Sequence, residues 1–152
     1  MNHSRLFASV LAIACLLPPA CSNEDAVLVD NLINPIRLGD EVSLSEDVQP
    51  LFTFSCAVAG CHDRASASGG QVLEEGSLFD AGTGIVGVAS QGAPLLRVQP
   101  FDSQASYLIH KLQGTQFNVG GQGSQMPLGA LPFDDEVVQV IRDWIDEGAQ
   151  NN

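Results

Sequence analysis

The chain is poor in positive charge: 6 Lys and Arg stand against 18 Asp and Glu, a formal net charge of −12. A surface of that sign repels nucleic acid and anionic lipid. It favours a protein partner with a basic docking patch, or simply keeps the chain soluble. Soft metal ligands are scarce as well, with 4 Cys, 3 His and 2 Met. The apolar stretch Leu6–Leu17 falls short of the roughly 20 residues that cross a bilayer. Strand patterns are nearly absent, Leu95-Leu96-Arg97-Val98 being the one short candidate, and no internal repeat is present. One Trp and 7 Phe are little filling for a self-sufficient core with long irregular loops. A large apolar prosthetic group among the helices would explain that economy, as would a small disulfide-pinned domain.

What is present begins with a leader. Arg5, the apolar run, then Pro18-Pro19-Ala20-Cys21 before the polar Ser22-Asn23-Glu24-Asp25 have the three-part layout of a secretory signal, so residues 1–21 are excluded from the fold. Cys21 follows a small residue, where a bacterial lipoprotein signal carries its lipidated cysteine, although Leu17 lies four residues before it and prolines intervene. Lipidation at Cys21 and plain cleavage nearby both remain open. Either places the protein in the periplasm or cell envelope, and loss of Arg5 makes the net charge one unit more negative. Residues 22–42 have no sustained periodicity and read as a linker or arm. Residues 43–149 are long enough for one domain.

Three helices are expected there. The first begins at Ser43, with Glu46 at capping-box spacing. Val48, Leu51 and Phe52 lie on one face, Pro50 is tolerable only near the start, and the helix runs into Cys56. The second covers roughly residues 103–112, capped by Asp102 or Ser103, with Tyr107, Leu108 and Leu112 for burial and Gly114 as its stop. The third starts after Asp134, buries Val137, Val140, Ile141, Trp144 and Ile145, and ends at Gly148. Between them lie glycine-rich loops.

Chemistry concentrates at Cys56-Ala57-Val58-Ala59-Gly60-Cys61-His62. Two thiols followed directly by histidine are the arrangement that attaches haem c, usually written C-x-x-C-H; here four residues separate the cysteines. The same pair could instead close a local disulfide, and export permits both outcomes. After processing only His62, His110 and one methionine, Met126, accompany Cys56 and Cys61. Four tetrahedral ligands would require the adjacent Cys61 and His62 to point at one ion, which argues against zinc.

The order of motifs then becomes informative. A helix into the cysteine–histidine motif, "SYLIHKL", a glycine-rich loop with "QMPLG" and a helix "VIRDWIDEGA" resemble the class I c-type cytochrome family. More narrowly, they resemble bacterial exported cytochrome c-like domains sharing "VQPLF…C…GCH", "RVQP" and "MP". The resemblance covers about residues 43–149. It implies an all-α fold in which the terminal helices cross and long loops wrap one covalent haem c. Cys56 and Cys61 would be the thioether attachments, and His62 and Met126 the axial ligands. The widened cysteine spacing departs from the usual pattern and leaves open a relative that lost haem and kept a Cys56–Cys61 disulfide.

Residue chemistry favours Met126 over His110 as the second ligand. A residue before proline is biased to extended backbone, which suits a thioether laid across a ring, whereas His110 falls mid-helix beside Lys111. Arg97 and Gln99 could hydrogen-bond a haem propionate, or Arg97 could lie on the surface. With both axial positions filled, single-electron transfer fits better than enzymatic chemistry at iron. The expectation is an exported, non-enzymatic electron carrier, lipid-anchored where Cys21 is lipidated. The alternatives are a haem-free disulfide-bonded interaction module and a small haem enzyme with a displaceable Met126.

Overall fold

The computed structural model describes residues 41–152, all within the compact unit Ile33–Asn152. The leader, the lipidation candidate Cys21 and all of the 22–42 arm except residues 41–42 lie outside the described residues. Val42 packs against the core, and its N–H donates to Glu147 Oε2 at 2.7 Å. Val42 therefore belongs to the packed domain rather than to a free arm.

The first helix, α1, opens with a wide π-type turn, Leu44–Val48, and continues as regular helix over Gln49–Ser55. Ser43 caps it, its Oγ accepting from Glu46 N–H at 3.2 Å. The reciprocal bond comes from Asp47 rather than Glu46: Asp47 Oδ2 accepts from Ser43 N–H at 2.9 Å, because the wide turn brings the fourth residue back over the cap. Asn152 satisfies two further free N–H groups, Leu44 through Oδ1 at 2.8 Å and Ser45 through its carbonyl at 3.0 Å. Pro50, with no N–H to give, sits where the wide turn passes into the regular helix.

Helix α2 spans Tyr107–Gln113 and starts later than the serine pattern indicates. Ser103 is used elsewhere: its N–H and Oγ both bond the Asp146 carboxylate, at 2.6 and 2.9 Å. The N–H groups of Tyr107 and Leu108 donate to the carbonyls of Leu96 and Arg97, at 3.0 and 2.9 Å. The segment around 95–98 thus caps α2. It makes only isolated bridges, with Val86, Ala89 and Ser106, and no strand forms there. Gly114 closes α2 at φ +71°. Helix α3 spans Asp135–Asp146 and packs against the opening turn of α1 and against α2.

Val48, Phe52, Ile109, Ile141, Trp144 and Ile145 are almost fully buried in one core. On α2 Ile109 takes the deep position, while Leu108 is only half buried. Leu73, Leu78, Ile85 and Val98 come from the long connection between α1 and α2 and are just as buried. That connection supplies apolar filling which a count of helical faces leaves out.

Candidate functional site: one cleft for two thiols, an imidazole and a thioether

The α1 C-terminus delivers Cys56, whose N–H donates to Phe52 O at 2.9 Å. The four residues between the cysteines fold into a closed turn. Cys61 N–H donates to Val58 O at 3.0 Å, and His62 N–H returns to Cys56 O at 3.1 Å. Gly60, at φ +87°, supplies the left-handed conformation that the turn requires. The wide spacing therefore still brings His62 back beside Cys56. Both thiols are free; they are not joined to each other.

Cys56, Cys61, His62 and Met126 all line one cleft of about 600 Å³, within the range of small-molecule sites, ~300–1,000 Å³. Its other walls are largely apolar and include Leu73, Ile85, Leu108 and Phe133. Phe54, Leu128 and Leu131 belong to the same lining yet are 74%, 67% and 88% exposed. An apolar cleft with an exposed apolar rim is the kind of surface that binds a ligand or a partner.

The imidazole is only partly satisfied by protein. His62 is buried and its Nδ1 makes no hydrogen bond within the protein, which leaves that atom to a water, an ion or a ligand. Burial pushes its pKa below the usual histidine value, an effect larger than the opposing pull of the Ser68 and Gln71 backbones. The ring is thereby kept in the neutral form that binds metals. Cys56 is pushed up to about 11, mainly by burial and then by Cys61. At neutral pH it stays a thiol.

Arg97 is neither a surface residue nor part of an ion pair. It is buried in the cleft wall. Its Nη1 donates to Gly82 O and Gly84 O at 3.0 and 2.6 Å, and its Nη2 to Gly69 O and Gly70 O at 3.3 and 3.1 Å. Among the described residues the only ion pair is Arg64–Glu74, at 3.0 Å, so the Arg97 charge has no carboxylate. With both Nη atoms donating to carbonyls, only the Nε–H of this guanidinium is left to meet an acidic group. Gln99 does not line the cleft; its N–H donates to Ser106 Oγ at 2.8 Å.

Met126 is half buried and packs against the core, and its bond to Pro127 is cis. Its N–H donates to Lys111 O at 2.9 Å, and Gln125 Nε2 donates to Leu112 O at 2.7 Å. The methionine loop thus satisfies two of the carbonyls that the end of α2 leaves free. His110 is turned to other partners, with Nδ1 2.9 Å from Thr115 Oγ1 and Nε2 3.0 Å from Gln104 O. It does not line the cleft. No group of three or more His, Cys, Asp and Glu side chains able to hold a metal ion occurs among the described residues; that donor set does not include a thioether. Nor does any described helix have the length and apolarity to cross a membrane.

Sequence reasoning passed over Tyr107 and Lys111 as site residues, although both line the cleft. They are the chain's only tyrosine and only lysine, and their four-residue spacing, which puts them on one helix face, was the available signal.

Compared with models of protein families, with curated proteins and with solved structures, the chain gives no match.

Proposed function

We propose that residues 43–149 form a cytochrome c-like domain, all-α with long wrapping loops, that holds one haem covalently and carries single electrons. The observation that supports it is the convergence of Cys56, Cys61, His62 and Met126 on one apolar cleft, with the unpaired Arg97 in its wall. The donor chemistry fits haem. Cys56 and Cys61 would hold it by thioether bonds, His62 and Met126 would be its axial ligands, and Arg97 would face a propionate. Bound haem supplies a one-electron iron couple, which methionine–histidine ligation shifts to higher potential. His62 offers a neutral ring, the apolar walls exclude water, and the methionine loop holds a thioether at the cleft. With His62 and Met126 both holding the iron, no position would be left for a substrate, and the domain would be a carrier rather than an enzyme.

A visible spectrum and an intact mass of protein made with haem c maturation machinery test this. Each S–H adds across a vinyl double bond with nothing lost, so the chain gains the full mass of one haem. The haem absorbance should survive denaturation. A colourless chain with a Cys56–Cys61 disulfide from a competent host overturns the reading in favour of a haem-free interaction module.

The same reading places the domain in the periplasm or cell envelope. Residues 1–21 would act as the export signal, Cys21 as a lipid anchor and residues 22–42 as the tether. The several acyl chains of a bacterial lipoprotein would hold it firmly where one would not. Cys21→Ser is expected to move the protein from the membrane to the soluble fraction; an unchanged distribution counts against lipidation but not export. The net charge of −12 suits a redox partner with a basic docking patch.

A further inference from the structure

We propose that Tyr107 and Lys111 form a latch that holds the 120–126 loop, and with it the Met126 thioether, at the cleft. The two side chains stand one turn apart on α2 and converge on a single peptide unit. Tyr107 Oη donates to Gln122 O and accepts from Gln122 N–H, both at 3.2 Å. Lys111 Nζ donates to the same Gln122 carbonyl at 3.3 Å and also to the Ser124 carbonyl. Gln116 Nε2 fixes the carbonyl between them, Gly123 O, at 2.7 Å. Three successive carbonyls, at 122, 123 and 124, are therefore aimed at side chains of residues 107–116, two residues before the methionine.

The loop lies too close to Tyr107 for any other residue at position 121. A Cβ on Gly121 would stand 2.5 Å from Tyr107 Cε2 and 2.7 Å from Gln116 O. Close approach, rather than an unusual φ, is the reason for glycine there. Lys111 also has no carboxylate partner among the described residues. An ammonium donating to backbone carbonyls makes charge-assisted bonds, the stronger class. Lys111 is used twice, since its own carbonyl receives Met126 N–H. One residue thus grips the loop on both sides of Gln125.

The latch stands on geometry alone; its consequence for iron ligation rests on the haem reading above. Tyr107 and Lys111 are positioning residues acting through Met126. Lys111→Met keeps most of the stem and removes the donors, Lys111→Arg restores a cationic donor, and Tyr107→Phe removes only the hydroxyl. Amide hydrogen exchange on the full chain, with or without haem, reads the latch directly. In Lys111→Met, exchange over residues 122–126 is expected to accelerate about tenfold or more, the factor carried by one lost charged hydrogen bond. Exchange over Ile141–Ile145 should be unchanged. Tyr107→Phe should act in the same direction, and Lys111→Arg should return most of the protection.

In haem-loaded protein, Lys111→Met is further expected to weaken the sulfur-to-iron charge-transfer band and speed carbon monoxide binding. Unchanged exchange at 122–126 overturns the latch, as does an equal rise at Ile141–Ile145, which marks general destabilisation. A wild type that carries no haem overturns the haem reading instead, and exchange in that haem-free chain still decides the latch.

Discussion

A chain carrying both Cys56→Ala and Cys61→Ala is expected to lose all haem absorbance after denaturation, and each single variant to keep it through one remaining thioether. The expectation comes from the turn that joins them. His62 N–H returns to the Cys56 carbonyl at 3.1 Å, so both thiols are presented beside the same imidazole. Neither is consumed by a bond to the other. Alanine suits the test because Cys56 is buried and a serine hydroxyl there would need a new partner. The cost of losing one sulfur from the core is about 1 kcal/mol, by the scale of small core truncations. That is too little to unfold a domain of ordinary stability. A single variant and the double variant therefore differ in attachment, not in folding, and the thermal midpoint of the haem-free chains should report near-equality. Mass spectrometry checks the count: one haem on wild type and each single variant, none on the double. If the double variant retains haem through denaturation, the attachment lies elsewhere. If wild type and double variant are equally colourless while folded, the cleft takes no covalent haem at all.

The start of α1 and the end of α2 were legible because their caps are local, whereas Asp134 makes no side-chain capping bond to α3. Ser43 accepts from Glu46 N–H and Gly114 takes φ +71° for reasons contained within a few residues of sequence. The start of α2 was not legible, since Ser103 finds its partner in Asp146, 43 residues away. The N–H groups of Tyr107 and Leu108 likewise go to carbonyls of the 95–98 segment. Burial of Leu73, Leu78, Ile85 and Val98 was equally hidden. They sit in glycine-rich connection without periodicity, and only the closure of that connection onto α1 and α2 makes them core.

The candidate site divides in the same way. Cys61 and His62 are neighbours in sequence, and Met126 stands out because the only other methionine, Met1, lies in the expected leader. Their meeting with Cys56 in one cleft is a product of folding. Arg97 could be noticed only as a cation without an assigned place. Its four partners are carbonyls, at Gly69, Gly70, Gly82 and Gly84, and a backbone carbonyl carries no side-chain signature. Tyr107 and Lys111 escaped for the same reason, since they bind the backbone of a loop rather than any side chain that a motif could display.

If the domain holds haem as proposed, ligation separates a carrier from an enzyme, and Met126→Ala is expected to open the second ligand position to added ligands. In the oxidised wild type the sulfur-to-iron charge-transfer band should be present, carbon monoxide should bind the reduced protein poorly, and the potential should sit in the higher range of methionine–histidine sites. Met126→Ala should abolish the band, lower the potential and admit carbon monoxide or peroxide. The change in affinity follows from populations. A ligand that needs an open iron sees only the fraction of molecules with the thioether detached, and its apparent affinity is reduced by that fraction. Alanine sets the fraction to one. His110→Ala is the control, because both of its ring nitrogens are already engaged, by Thr115 and Gln104 at 2.9 and 3.0 Å. It should cost about 1 kcal/mol of stability from those lost bonds while leaving band and potential in place. The reverse result, with His110→Ala removing the second ligand and Met126→Ala changing nothing, would require His110 to leave Thr115 and Gln104 for the cleft and would overturn the assignment. A wild type that binds carbon monoxide as readily as Met126→Ala would mean an open second position from the start, and the domain would then act on a ligand at iron rather than pass electrons.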